Sequence, residues 1–474
     1  MSLRRLFLRS ISSRVGALVA LGPLVVFLAA LSIFSTPKVG AQHQQGFETA
    51  TEPLQSPDVV SASRLGSGLA GALVERATAL HLDRLVELRS EVDDTEKSLL
   101  DAHIASLTTP EALRRHLLRP RALPAEPEVG PVKRSAMTDH GAVRYMAVVP
   151  ESYTPERAWP VHIALHGGGG SSRRSCLNNW QGMAAKSGII LLCPTVRRGG
   201  WWLLGGALRI RAAFEDLRGR YRVDLDRVSI GGASSGGAGV WHQATRYPWK
   251  WRAAIPRCAA LPPDPQMLGN LKAVPTYLLH GARDAKILAH NSRLSHGLLN
   301  DLGYDVTYYE DARVGHNFMF DHNDEVLTWL GERERASVFA DFSYRTPLRG
   351  AAPSRVWWLE PEWGAGYRPG QRLEASLKWS VGPQSPVLEA RVASDSDIRS
   401  LRVFLPPLEE FKGATLTVVY NGEVVHAGTV VGTVEGLLTS WGDHRDPSML
   451  TPFSAEINLL REEERPVLGS LGTN

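Results

Sequence analysis

The chain has 474 residues, 43% of them hydrophobic and 22% charged. That is enough for more than one packed domain and too apolar for a disordered or fibrous protein. The formal charge is only +4, and five basic residues, Arg4, Arg5, Arg9, Arg14 and Lys38, fall in the first 41 positions, which hold no acid. The positive balance therefore belongs to the N-terminus and the remainder offers no nucleic-acid surface; three cysteines are too few for a disulfide framework.

Residues 1–41 combine a basic start, an apolar run from Val15 to Phe34 and the small-residue sequence Val39-Gly40-Ala41, the pattern of a signal peptide. Arg4-Arg5 resembles a twin-arginine signal. The apolar run is also long enough to cross a bilayer, so an N-terminal membrane anchor is the alternative. Either reading puts the body outside the cytoplasm, in the periplasm or the extracellular space. Residues 42–65, rich in Gln, Ser, Thr and Pro, read as a linker. Residues 66–120 read as a helical module, with Leu69, Leu73, Ala77 and Leu80, then Leu100, Ile104 and Leu107, at helical spacing, and Thr109-Pro110 as an N-cap followed by Pro at the first helical position. Residues 121–141 form a Pro-rich connector.

From 142 to 335 apolar strands alternate with helices. The strands are expected at 143–149, 161–165, 189–193, 227–230, 251–258, 274–280 and 306–309, the helices at 208–221, 287–302 and 323–330. This predicts an α/β fold with a mostly parallel sheet covered by helices on both faces. Residues 341–474 turn to shorter alternating runs, a small C-terminal β-rich accessory domain in which Asn421-Gly422 marks a type I′ hairpin. Trp357, Trp358, Trp363 and Trp379 there are expected to pack, with stacking on a polymer as the alternative. Cys193 and Cys258 sit in apolar runs and read as small buried hydrophobes; a disulfide would involve Cys176, with its partner left open. No internal repeat is present.

The chemistry centres on Gly232-Ala233-Ser234-Ser235-Gly236, which follows the strand-like Arg227-Val228-Ser229-Ile230 and opens a helix. A serine between glycines on a sharp strand-to-helix turn is a nucleophile elbow. A base and an orienting acid follow in order: Asp284, four residues past a strand end, and His316, in the loop after the next strand. Asp305 and Asp311 are weaker rivals for the acid, and His290, His296 and His322 fall in or beside helices. The oxyanion donors expected are the N–H of Ser235 and one from His166-Gly167-Gly168-Gly169-Gly170, at Gly168 or Gly169. A phosphate loop is disfavoured there, because Ser171-Ser172-Arg173 follows in place of Gly-Lys-Ser/Thr. Trp201, Trp202 and Trp241 lie near the expected strand ends as candidate substrate-binding residues, with core packing as the alternative. No metal-ligand spacing stands out, and no cofactor is called for.

Together the His166–Gly170 loop, the Gly232–Gly237 elbow, His280-Gly281-Ala282-Arg283-Asp284 and Gly315-His316 resemble the α/β-hydrolase superfamily. Within it the sequence is most similar to secreted esterases related to polyhydroxybutyrate depolymerases and feruloyl esterases, and to dienelactone-hydrolase or prolyl-oligopeptidase-like catalytic domains. The resemblance covers about residues 142–335. It implies an exported serine hydrolase acting on a small or polymeric ester, with Ser234, His316 and Asp284 as its triad. The alternatives are a serine peptidase of the prolyl-oligopeptidase-like type and an inactive envelope-bound binding protein.

Overall fold

The computed structural model describes residues 81–459, apart from 91–93, 139–140, 181–186, 197–199, 349, 351, 382–385 and 443–444. The leader, the linker and the repeat Leu69 to Leu80 lie outside the described residues. Among the described residues no helix is long and apolar enough to cross a membrane.

After a helical stretch at 81–88 come α1 (Asp94–Leu107) and α2 (Pro110–Leu117). Thr109 caps α2 by accepting the Ala112 N–H, with Pro110 at the start of the helix. Strand β1 (Gly130–Ala136) falls where the sequence suggested only a connector. Its Val132 and Ala136 are buried and Arg134 between them is half-buried, while Lys133 and Ser135 face out, a short alternation that Pro131 and the prolines before it hide.

There follow β2 (Val143–Val149), β3 (Trp159–Leu165), β4 (Ile190–Pro194), α3 (Leu204–Arg218), β5 (Val223–Ala233) and α4 (Ser235–Arg246). Next are β6 (Ala253–Arg257), β7 (Thr276–Gly281), α5 (His290–Asp301), β8 (Val306–Asp311) and α6 (Asn323–Gly331). The eight strands form one sheet in the order β1-β2-β4-β3-β5-β6-β7-β8. Strand β2 runs antiparallel to β1 and β4, and β3 to β8 are parallel.

Both faces of the sheet are buried, which is why its strands read as near-continuous apolar runs. Val161, Ile163 and Ile190 meet Ile210 and Leu217 of α3 and Val240 and Trp241 of α4. Ala164, Leu191 and Ile255 meet Val326 and Leu330 of α6 on the other side. The chain moves outward from β3 to β4 and then returns to the far side of β3 as β5. This reversal opens a crevice beyond the carboxyl ends of β3 and β5, the place where α/β sheets gather their reactive groups.

The C-terminal region holds a five-stranded sheet containing β9 (Phe342–Arg345), β11 (Arg372–Val381), β12 (Pro386–Ser394), β14 (Thr415–Tyr420) and β15 (Glu423–Thr429). A three-stranded sheet is built from β10 (Leu359–Trp363), β13 (Ile398–Phe404) and β16 (Ser454–Asn458). Asn421 and Gly422 both have positive φ, 49° and 91°, as a type I′ turn requires. Trp357 and Trp358 are buried, whereas Trp379 is 46% exposed. These sheets share a core with the α/β portion: Trp249, between α4 and β6, packs with Tyr344 and Trp357. Helix α7 (Val434–Trp441) reaches back to the N-terminal helices, Leu437 and Leu438 closing over Leu82, Ile104 and Leu113.

Candidate active site

Ser234 is the single residue between β5 and α4, with φ 55° and ψ −119°. Side-chain-bearing residues avoid this backbone region, so the turn stores about 1–3 kcal/mol of strain. It is held from both sides: the Ser234 N–H donates to the Arg257 carbonyl at 2.9 Å, and the Ser234 carbonyl accepts the Ala238 N–H at 3.1 Å. Gly236 lets α4 start hard against β3, since a Cβ there would lie 2.2 Å from the Leu165 carbonyl oxygen.

Asp284 lies three residues beyond β7 and is 3% exposed. One carboxylate oxygen accepts the N–H groups of Lys286 and Ile287 at 2.8 and 2.9 Å, and the other accepts Nδ1–H of His316 at 2.6 Å. Burial pushes the Asp284 pKa up, but the hydrogen bonds from His316, Ile287 and Lys286 outweigh it and hold the carboxyl below its ordinary value. The two loops meet because Gly281 has no side chain; a Cβ there would sit 2.2 Å from the Gly315 carbonyl oxygen.

With Nδ1 committed to Asp284, Nε2 of His316 remains for a proton from the nucleophile. The Phe318 ring lies 5.1 Å from the His316 ring, and Phe318 and the Ser234 Cβ both come within 3.7 Å of the point where a Gly167 Cβ would stand. No hydrogen bond joins Ser234 to His316 among the described residues; such bonds commonly tighten only when substrate arrives. The rival carboxylates are engaged elsewhere, Asp305 with Arg333 and Asp311 with the Arg313 N–H.

Gly167 lies closest to the elbow. The Cβ direction of Gly168 faces the Ser235 hydroxyl at 3.9 Å, whereas that of Gly169 meets nothing within 4 Å. Ser235 opens α4, so its N–H is among those that no helix interior can satisfy. His166 shapes the loop: Nε2 accepts the Val196 N–H at 3.3 Å, which leaves Nδ1 to donate to the Gly167 carbonyl at 2.9 Å.

The tryptophans divide. Trp201 is fully buried and donates Nε1–H to the His166 carbonyl at 2.9 Å, and Trp241 is buried in the core under α4. Neither offers a face to substrate, because each fills space behind the site. Trp202 is 47% exposed, next to the exposed Leu203.

Two neighbouring residues escaped the motifs. Arg257 ends β6 fully buried; its guanidinium donates to the carbonyls of Phe318 and Met319 at 3.0 and 2.6 Å and to Asn323 Oδ1 at 2.6 Å. The one signal in the sequence was a charge at the end of the apolar run Ala253-Ala254-Ile255-Pro256. Cys258, at φ 46°, donates its thiol to the Asn317 carbonyl at 3.0 Å. Together they grip the loop that carries His316.

Cys258, Asp284 and His316 bring potential metal-ligand atoms within 4.8 Å of one another, a grouping the spacing did not reveal. Burial pushes the Cys258 thiol up to about 12, so it stays protonated, and Asp284 and His316 already bond to each other. The sequence favours Cys193 as a small buried hydrophobe and leaves the partner of a Cys176 disulfide open. Cys193 is bonded to Cys176, which the short π-helix Ser175–Trp180 brings over β4.

No family model matches the sequence, and no curated protein matches it. Solved structures do align with part of it. A thermostable esterase matches over 43% of this chain and 63% of its own, with 23% identity and a TM-score of 0.38. The S-formylglutathione hydrolase of Staphylococcus aureus matches over 43% of this chain and 99% of its own, with 14% identity and a TM-score of 0.36. Dipeptidyl peptidase 4 of Porphyromonas gingivalis matches over 43% of this chain and 35% of its own, with 17% identity and a TM-score of 0.37. By its own strand order and its strand–Ser234–helix turn, with Asp284 and His316 on the loops beyond β7 and β8, this chain has an α/β-hydrolase fold.

Proposed function

We propose that the protein is an exported serine hydrolase that cleaves carboxylic esters. One observation carries this reading: a serine strained at positive φ beyond β5, with a histidine–aspartate pair bonded at 2.6 Å on the loops beyond β7 and β8 of the same sheet. In the proposed reaction Ser234 Oγ attacks the ester carbonyl while His316 Nε2 takes its proton, and Asp284 steadies the imidazolium that forms. The N–H of Ser235 and one from the glycine loop, at Gly168 or Gly169, with Gly167 as the alternative nearest the elbow, are assigned to the oxyanion; losing one such donor costs about 3 kcal/mol of barrier. His316 then returns the proton to the leaving alcohol, and water, activated by the same histidine, releases the acid from Ser234. Trp202 is the aromatic wall available to the substrate.

Export is supported by the leader pattern and by the Cys176–Cys193 disulfide, a bond that persists in oxidising compartments. Whether the leader is cleaved or retained as an anchor changes only how the body is tethered. The test is incubation of the purified protein and of Ser234→Ala with a fluorophosphonate probe, p-nitrophenyl acetate and a chromogenic peptide. Labelling and ester turnover that vanish in the variant are expected. Two folded proteins that both fail to label would sink the reading, and peptide turnover exceeding ester turnover would replace the substrate class.

A further inference from the structure

Away from Ser234, where the N-terminal helices, the α/β core and the C-terminal sheets meet, lies a cavity of about 1070 Å³. None of Ser234, Asp284 or His316 lines it, and its volume is that of a generous small-molecule site.

Most carboxylates on its wall already have cations. Asp101 pairs with Arg89, Asp446 with Arg335 and Glu215 with Arg218, while Arg402 holds Glu435 and Glu456. Glu360 lies 3.9 Å from Arg402, and Glu362 accepts the Ser400 hydroxyl. On the cationic side, Lys250 and Arg211 line the cavity, their side chains without a hydrogen bond or ion pair among the described residues. Arg355, 4% exposed, bonds only to the carbonyls of Trp357 and Ser440 and keeps Nη2 without a partner.

Lys250 is the most telling of these. Its ammonium lies 4.9 Å from the centre of the Tyr247 ring, with no anion in contact. Burial pulls its pKa down to about 8; Arg211 and Arg218 push the same way, and Glu215 and Asp446 push against it. An anion between Lys250 and Arg211 would relieve both the desolvation and the like-charge repulsion. Beside these cations the wall is apolar, made by Ile210, Phe214, Tyr247, Trp249 and Trp251. A bare inorganic anion would leave that wall wet, and a neutral apolar molecule would leave Lys250 unpaired.

We propose that this cavity binds an amphipathic monocarboxylate, with its carboxylate on Lys250 and Arg211 and its aliphatic or aromatic body against Phe214 and Tyr247. The site is independent of the catalytic reading, because it shares no residue with the elbow or its partners.

Isothermal titration of the full chain carrying Ser234→Ala with sodium octanoate tests this. One saturable site is expected, weakened at least about tenfold by Lys250→Met and by Arg211→Gln, with octanol and inorganic phosphate each binding at least about tenfold more weakly. Absence of octanoate binding, affinity unchanged in both variants, or phosphate binding as well as octanoate would overturn the proposal. Should Lys250→Met fail to fold by circular dichroism, Arg211→Gln, on the exposed side of α3, decides alone.

Discussion

Arg257 accepts the Ser234 N–H on its carbonyl at 2.9 Å and with its side chain holds the loop that carries His316. One residue at the end of β6 thus ties Ser234 and the loop of His316 to each other, the two residues proposed as nucleophile and base. Its guanidinium has carbonyl and amide oxygens as partners and stacks on Trp180 and Phe320.

Replacing it tests positioning apart from folding. Arg257→Met keeps apolar bulk between Trp180 and Phe320 but releases Phe318 and Met319. We predict that kcat for p-nitrophenyl acetate falls about 10²-fold, the loss expected from a small misplacement of a reacting group, while KM changes little. Lysine cannot reproduce the forked donor geometry, so Arg257→Lys is expected to recover only part of the loss. Wild-type kcat in the folded Met variant would remove Arg257 from any positioning role.

Asp284 predicts an acid limb. Its pKa is lower in the folded protein than in the unfolded chain, so its ionised form contributes stability that is fully present above the unfolded value, near 4. That contribution is lost as pH falls through the still lower folded value. Asp284→Asn should therefore flatten the acid side of the stability curve measured by urea unfolding, and lower kcat by about 10⁴-fold at neutral pH. A variant whose stability falls as steeply below pH 4 as that of the wild type would show that other carboxylates govern the acid limb.

Two glycines should behave oppositely. Gly236→Ala places a Cβ 2.2 Å from the Leu165 carbonyl oxygen, so α4 must lift from β3; lost activity and a lowered melting temperature are expected. Gly297, inside α5, has nothing within 4 Å of its Cβ direction. Gly297→Ala should stabilise by about 0.5–1 kcal/mol through the helix propensity of alanine. Equal responses at the two positions would mean that the close approach of α4 to β3 is not what constrains Gly236.

The Cys176–Cys193 bond closes a segment of 17 residues, and its removal by Cys176→Ser with Cys193→Ser is predicted to cost about 3 kcal/mol. Chemical denaturation of the two proteins without reductant measures it. An unchanged midpoint and slope would show that this loop is already ordered in the denatured chain.

What could be read in advance follows from distance along the chain. Ser234, Asp284 and His316 stand at strand ends, where glycine spacing and apolar runs mark position locally. The roles of Arg257 and Cys258 arise from contacts some 60 residues away, which no periodicity records. Cys176 sits in a short π-helix, which neither the α-helical nor the strand period marks. Trp201 lies against the His166 carbonyl beyond β3, but a tryptophan can fill a wall from behind as readily as line it, and sequence does not distinguish the two. β1 is hidden because Pro131, inside it, and the prolines before it read as a connector.

The small cluster in which Leu437 and Leu438 close over Leu82, Ile104 and Leu113 has a bearing on biogenesis. Arg89, tied to Asp101, also reaches the Thr439 hydroxyl at 3.3 Å, so helices made early find their partner only after more than 300 further residues have been synthesised. Contacts so remote in sequence form late. Until then Leu82, Ile104 and Leu113 lack their cover, a ready foothold for a chaperone on the nascent chain.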